Sequence, residues 1–134
     1  MEMYNITSYT DDIGEHWHWI EPELMRCQAY HIDPLDMITI KEDIRSRRGM
    51  IIAISEGTEV LTVCYVEFYQ ASLHVRLCSG VDLDKWASVL DKALEQLAQV
   101  MGVKHITQLG RVGWAKQMKR HGWKHQLSQY VRAV

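Results

Sequence analysis

The stretch that decides the fold begins at Lys104-His105-Ile106-Thr107-Gln108-Leu109-Gly110. It continues as Arg111-Val112-Gly113-Trp114-Ala115-Lys116-Gln117-Met118-Lys119-Arg120-His121-Gly122-Trp123. It ends as Lys124-His125-Gln126-Leu127-Ser128-Gln129-Tyr130-Val131-Arg132-Ala133-Val134. It reads strand, turn, short helix, Gly-Trp, strand. A short helix that ends in Gly-aromatic and returns as a strand is a recurring closing pattern, and it sets an architecture against which the upstream segments can be tested.

Immediately upstream lies the strongest helical pattern in the chain. Asp82 is read as its cap and Asp84 as a first-turn acid. Trp86, Val89, Leu90, Ala93, Leu94, Leu97 and Met101 follow helical spacing, and Gly102 ends it. Lys85, Asp91, Lys92, Glu95 and Gln99 fall on the polar face.

Before this helix come three strand-like runs. Met50 to Ser55 is rich in isoleucine, Glu56-Gly57-Thr58 signals a hairpin turn, and Glu59 to Tyr69 is dense in Val, Tyr and Phe. After a turn at Gln70-Ala71, Leu73, Val75 and Leu77 alternate with His74, Arg76 and Cys78, and Gly80 closes the strand.

The N-terminal third reads as a strand and two helices. Met1 to Thr10 alternates, with Tyr4, Ile6 and Ser8 on one face. Asp11 and Asp12 open a helix carrying Ile13, Trp17 and Ile20. Pro22 sits where a further helical stretch can begin, continuing through Leu24, Met25 and Gln28. Asp33-Pro34 repeats the signal, N-cap then N1, for a helix running to about Ser46 with Leu35, Ile38 and Ile44 inward. Arg45, Arg47 and Arg48 suit the negative pole at its end. The whole order is β-α-α-β-β-β-α-β-α-β, a mixed α/β fold.

The bulk numbers agree with one domain spanning residues 1–134. Hydrophobic residues make up 47% and charged residues 24%, ordinary for a globular protein. No apolar run reaches the roughly 18 residues a membrane helix needs, and the N-terminus has no basic start followed by an apolar stretch. Three widely spaced cysteines, Cys27, Cys64 and Cys78, suggest reduced thiols in a cytosol-like compartment, with no CxxC pair for zinc. The net charge of −2 is unevenly placed. Residues 1–70 hold 13 acidic and 5 basic side chains, whereas residues 71–134 hold 4 and 10. Such asymmetry marks an anion-binding face, two halves that attract each other, or a solvated surface.

The order, the long helix and the Gly122-Trp123 tail together resemble the acyl-CoA-dependent N-acyltransferases of the GNAT superfamily, over nearly the whole chain. The resemblance implies a GNAT-like fold and transfer of an acyl group from acetyl-CoA or another acyl-CoA to a small-molecule or protein amine. In that family the fourth strand and the strand after the long helix splay apart around pantetheine. The pyrophosphate then rests on N–H groups at the start of the long helix, since helix N-termini attract anions. This implies that the backbone near Leu77 polarises the thioester. It also implies that Ser79, Gly80, Val81, Asp82 and Leu83, with Arg111, form the cofactor side. Glu67 and His74 are the candidates for a general base.

The chain departs from the family's pattern in two places. The phosphate loop usually reads Gln/Arg-x-x-Gly-x-Gly/Ala, but here Cys78-Ser79-Gly80-Val81-Asp82-Leu83-Asp84-Lys85 has one glycine and two aspartates. Each aspartate would repel a pyrophosphate by up to about 1 kcal/mol in watery surroundings. Many members also read Asn-x-x-Ala-x-x-x-Tyr-x-x-x-Gly-Phe; counting back from Gly122-Trp123 puts Met118 at the tyrosine, Trp114 at the alanine and Arg111 at the asparagine. Met118 cannot protonate a leaving thiolate.

The departures resemble small GNAT-like proteins of tailed bacteriophages, some of them virion components. The matching features are Trp17, Trp19, Asp33-Pro34, the Ser79 to Asp84 loop and Gly122-Trp123. That resemblance implies the alternative of a non-catalytic protein without cofactor, with a phage or host protein as partner. It would act in the host cytoplasm or the virion; otherwise the expectation is cytoplasmic.

Other constellations are weaker. His16 and His18 would point about 200° apart on a helix, so a metal site would need a strand and a third ligand such as His31. Lys116, Lys119, Arg120, Lys124 and His125 could meet a CoA phosphate or an acidic partner, but no aromatic-interleaved motif points to nucleic acid. There is no GxSxG, P-loop or Rossmann glycine pattern.

Overall fold

A computed structural model describes residues 4–10, 13–29, 34–108, 114–124 and 132–133. Strand β1 (Tyr4–Tyr9) leads into helices α1 (Ile13–Cys27) and α2 (Met37–Arg45). Strands β2 (Gly49–Glu56), β3 (Glu59–Phe68) and β4 (Ser72–Cys78) follow, then α3 (Leu83–Met101), β5 (His105–Gln108) and α4 (Ala115–Arg120). This is the order read from the sequence as far as α4. Asp11, Asp12, His31, Asp33, Arg111 and nearly all of the expected last strand lie outside the described residues.

The sheet order is β1-β2-β3-β4-β5. The first four strands pair antiparallel, and β5 runs parallel to β4 because α3 carries the chain back across the sheet. β2 is apolar on both faces because both are covered. Ile52 and Ile54 point to α3, whereas Ile51 and Ala53 point to α1 and α2. The α3 side also holds Cys64, Val66, Leu73, Val75, Trp86, Leu90, Leu94 and Trp114. The opposite side holds Ile13, Ile20, Leu24, Ile40, Ile44, Val63, Tyr65 and Leu77.

Several local expectations change. Pro22 starts nothing; it lies inside an uninterrupted α1. A mid-helix proline costs about 3 kcal/mol. Ile13, Ile20 and Leu24 are fully buried on α1, each worth about 1.5–3 kcal/mol, which outweighs that cost. The second helix starts later than Asp33-Pro34 suggests: Asp36 is its N-cap, its carboxylate accepting from the Ile38 N–H at 3.0 Å. That shift in phase turns Ile38 outward, 72% exposed, and puts Ile40 and Ile44 inside.

Strand β4 departs most informatively. Cross-strand pairing runs Cys64 with Cys78 and Tyr65 with Leu77, then jumps to Val66 with Val75. Arg76 is therefore an extra residue, a β-bulge. The bulge breaks the simple alternation: Leu77 joins the α1/α2 side, and Cys78 joins Leu73 and Val75 under α3. A second bulge lies in β3, where Ile54 pairs with Thr62 and Ser55 with Val60, leaving Leu61 extra.

Gly49 shows how tightly the α1/α2 side is packed. A Cβ there would meet the Val66 carbonyl oxygen at 2.7 Å and Tyr65 Cε1 at 2.8 Å. Gly49→Ala is expected to destabilise the protein by about 1–3 kcal/mol through overpacking. A thermal melt reads this as a Tm at least several degrees lower.

Candidate functional site

The bulge sits one residue past the last described pair between β4 and β5. β4 pairs with β5 from Ser72–His105 to Val75–Gln108; among the described residues no pairing to β5 continues beyond Val75. Arg76, Leu77 and Cys78 run on past that point, still held to β3. The loop Ser79–Asp82 then leads from the end of β4 into α3.

The loop is fixed by β3. Ser79 is buried, and its N–H donates to the Val63 carbonyl at 2.9 Å. Its Oγ accepts from the Val63 N–H at 3.0 Å, and its carbonyl accepts from Thr62 Oγ1 at 2.8 Å. Gly80 then turns with φ of +105°, and its α-carbon lies so close to the bulged Leu61 carbonyl that no side chain fits. Val81 is exposed, its carbonyl accepting from Trp86 Nε1 at 2.8 Å. Asp82 occupies the N-cap position, but in left-handed geometry and without a side-chain cap bond. Leu83 is buried and anchors the first turn.

Asp84 does not face the loop's N–H groups alone, as its sequence position suggests. Its carboxylate accepts from Arg120 at 2.7 Å and Gln117 at 3.4 Å, and it lies 3.0 Å from His121 Nε2. The hydrogen bond with His121, then Arg120 and Gln117, hold its carboxyl below the usual aspartate range. Its negative charge is thus matched by the basic end of α4.

Glu67 and His74, named separately from the sequence, stand directly opposite each other on β3 and β4. Their row extends across four strands, Gly49–Glu67–His74–Thr107, by successive pairing. His74 Nδ1 lies 2.6 Å from Thr107 Oγ1, and the Tyr69 hydroxyl donates to Glu67 Oε1 at 3.0 Å. Burial lowers the His74 pKa, the Arg76 cation adds to this, and Glu67 opposes it. The imidazole is therefore neutral at pH 7. Tyr65, two residue pairs further along, is buried; its hydroxyl donates to Asp43 at 3.5 Å, and burial pushes its pKa well above the usual range. Arg76 shares the face of His74, because Leu73 and Val75 between and beside them point to α3. Sequence reasoning missed Arg76, Tyr69 and Asp43 as members of this group. The adjacent apolar pair Leu77-Cys78, which ends the alternation, was the available sign of the bulge.

On the far face, α4 closes on α3. Trp86 and Trp114 meet edge to face with centroids 5.9 Å apart. α4 ends in a Schellman arrangement: Gly122 at φ +86°, its N–H to the Lys119 carbonyl, and the Trp123 N–H to the Met118 carbonyl. Trp123 Nε1 reaches Asp91 at 3.3 Å. The cavity between α3 and α4, lined by Trp86, Leu90, Met118 and Trp123 among others, holds about 10 Å³. That is at the lower limit for a single water.

The aromatic group at the start of α1 forms its own cluster. The Tyr9 and His16 rings meet tilted by 48° with centroids 4.4 Å apart, and Trp19 Nε1 donates to His16 Nδ1 at 3.2 Å. Among the described residues there is no cluster of His, Cys, Asp and Glu able to hold a metal ion, and no helix is long and apolar enough to cross a membrane. Cys27, Cys64 and Cys78 are buried and none of them forms a disulfide among the described residues.

No protein-family model matches the chain, and no curated protein does. Solved structures do. A probable acetyltransferase aligns with a TM-score of 0.71 at 13% identity, covering 97% of both chains. The glucosamine-6-phosphate N-acetyltransferase of Arabidopsis thaliana aligns at 0.67 and 14% identity, covering 98% of this chain and 99% of its own. An aminoglycoside N-acetyltransferase in complex with CoA aligns at 0.65 and 10% identity, covering 99% and 96%. The chain has the GNAT acetyltransferase fold. At these identities the likeness establishes the architecture.

The Asp84 cluster gives a pH test. A carboxyl lowered by folding stabilises above its unfolded pKa, and the contribution is lost as pH falls through the lower folded value. Asp84→Asn is expected to have a lower Tm than the parent at pH 6. The gap should close below the ordinary aspartate pKa of about 3.9, as read by thermal melts across pH.

Proposed function

We propose that this chain is a GNAT-type N-acyltransferase, moving an acyl group from acyl-CoA to an amine. The observation that carries the reading is the parallel β4–α3–β5 unit, with the Arg76 bulge in β4 and a Gly80 turn that enters a 19-residue helix. Acyl-CoA supplies an activated acyl group as a thioester. Backbone near Leu77 would orient its carbonyl, and preorganised N–H donors about 2.7–3.1 Å from a developing oxyanion are what such chemistry requires. N–H groups from Gly80 to Leu83 would hold the pyrophosphate; Ser79 contributes shape only, its polar atoms being held by β3. The pairing of Asp84 with Arg120 and His121 reduces the repulsion its charge would cause.

His74 is the base in this reading. A neutral imidazole beside Glu67 and Thr107 can take the amine proton directly or through one water. No tyrosine stands at Met118, so the departing thiolate takes its proton from solvent.

The second reading, a non-catalytic GNAT-fold protein such as a phage or host-interaction component, draws on the filled space between α3 and α4 and on Met118.

Calorimetric titration with acetyl-CoA separates the two. A micromolar Kd, about −8 kcal/mol, supports the enzyme. No heat and no thermal shift at millimolar cofactor supports the second reading. Val81→Asp, which adds a carboxylate on the exposed loop tip, is expected to weaken binding at least tenfold. In the active protein His74→Ala should lower kcat by about 10²–10⁴. The lowered pKa of His74 predicts that the rate falls only as pH drops below the ordinary histidine value of about 6.5.

A further inference from the structure

Arg76 is the extra residue of the β4 bulge, skipped in the pairing with β3, and its Nε is buried with no hydrogen-bond partner. The carboxylates that could answer it are engaged elsewhere. Glu67 accepts from the Tyr69 hydroxyl, and Asp43 is bound by Arg48 at 2.8 Å and by the Tyr65 hydroxyl. A buried donor left unmatched costs about 1–3 kcal/mol, and more when it is charged. A planar guanidinium is shaped to receive two oxygens of a carboxylate or phosphate side by side.

We propose that Arg76 is a specificity residue, and that the acceptor is an amine bearing an anionic group, a carboxylate or a phosphate. The inference deepens the acyltransferase reading and rests on it for the identity of His74 as the amine's neighbour. His74 and Arg76 are two residues apart on one face of β4, so their attachment points lie about 6–7 Å apart. That separation matches an amine and an anion joined by a short chain of two to four atoms. The amine lies toward His74 and Glu67, where the paired carboxylate favours a cation before the proton is given up. The anion lies on Arg76, whose Nε otherwise has no partner in the folded protein.

Binding without acyl-CoA tests this, so it is read separately from the cofactor titration: loss of acetyl-CoA binding would remove the acyltransferase reading and leave this result standing. NMR titrations compare phosphoethanolamine with ethanolamine, and β-alanine with propylamine, on the parent, Arg76→Gln and Arg76→Lys. The expected result is at least tenfold tighter binding of one or both anionic members, a preference lost in Arg76→Gln and partly kept in Arg76→Lys. Arg76→Gln should also keep or raise the Tm, since no partner is lost. Equal affinities within both pairs, no binding of either anionic amine, or a preference that survives Arg76→Gln would overturn the proposal. Should Arg76→Gln fail to fold, the pairwise comparison on the parent and on Arg76→Lys decides.

Discussion

β4 has to satisfy two different neighbours at once, and the rest of the structure follows from how it does so. Every backbone N–H and carbonyl in a buried strand needs a partner. On one side β4 keeps β3 for its full length and beyond, through Ser79. On the other it has β5 only to Val75 among the described residues. The bulge at Arg76 falls just past that point. A bulge bends its strand and increases the local twist. The loop that follows is then positioned by β3 rather than by β5, with Gly80 lying on the bulged Leu61 carbonyl. Two irregularities, one in each strand, thus lock the entrance to α3.

Much of this architecture was legible in the sequence because it is periodic. The apolar spacing from Trp86 to Met101, the isoleucine run of β2 and the Gly-Trp ending each carry their own geometry. The misreadings fall where a local signal met a tertiary force. Pro22 looks like a beginning, yet α1 has enough buried surface on both sides of it to continue. Asp33-Pro34 and Asp36 are both capping signals, and only the phase of Ile40 and Ile44 against the sheet selects Asp36.

The candidate site was legible only in pieces. Glu67 and His74 were visible as residues, but their pairing depends on strand register, which no composition rule reveals. Arg76 was read as one step in a simple alternation with His74 and Cys78, because a bulge is a one-residue insertion with almost no signature. Asp84 illustrates the opposite problem. Its charge looked unfavourable for a phosphate loop because the sequence separates it from Arg120 and His121 by more than thirty positions. In three dimensions Arg120 and His121 stand directly against this acid.

The Gly122-Trp123 ending has an implication for descent. The Schellman arrangement asks for a glycine that tolerates positive φ and for main-chain bonds from Gly122 and Trp123 to Lys119 and Met118. Only the carbonyl of Met118 takes part, and its side chain serves as one wall of the α3–α4 core. Mechanically, any apolar group of similar size would serve there. A lineage can therefore exchange a proton donor at that position for a methionine at almost no cost in stability. The Gly-Trp ending is thus kept by the physics of helix termination, whichever side chain stands at position 118.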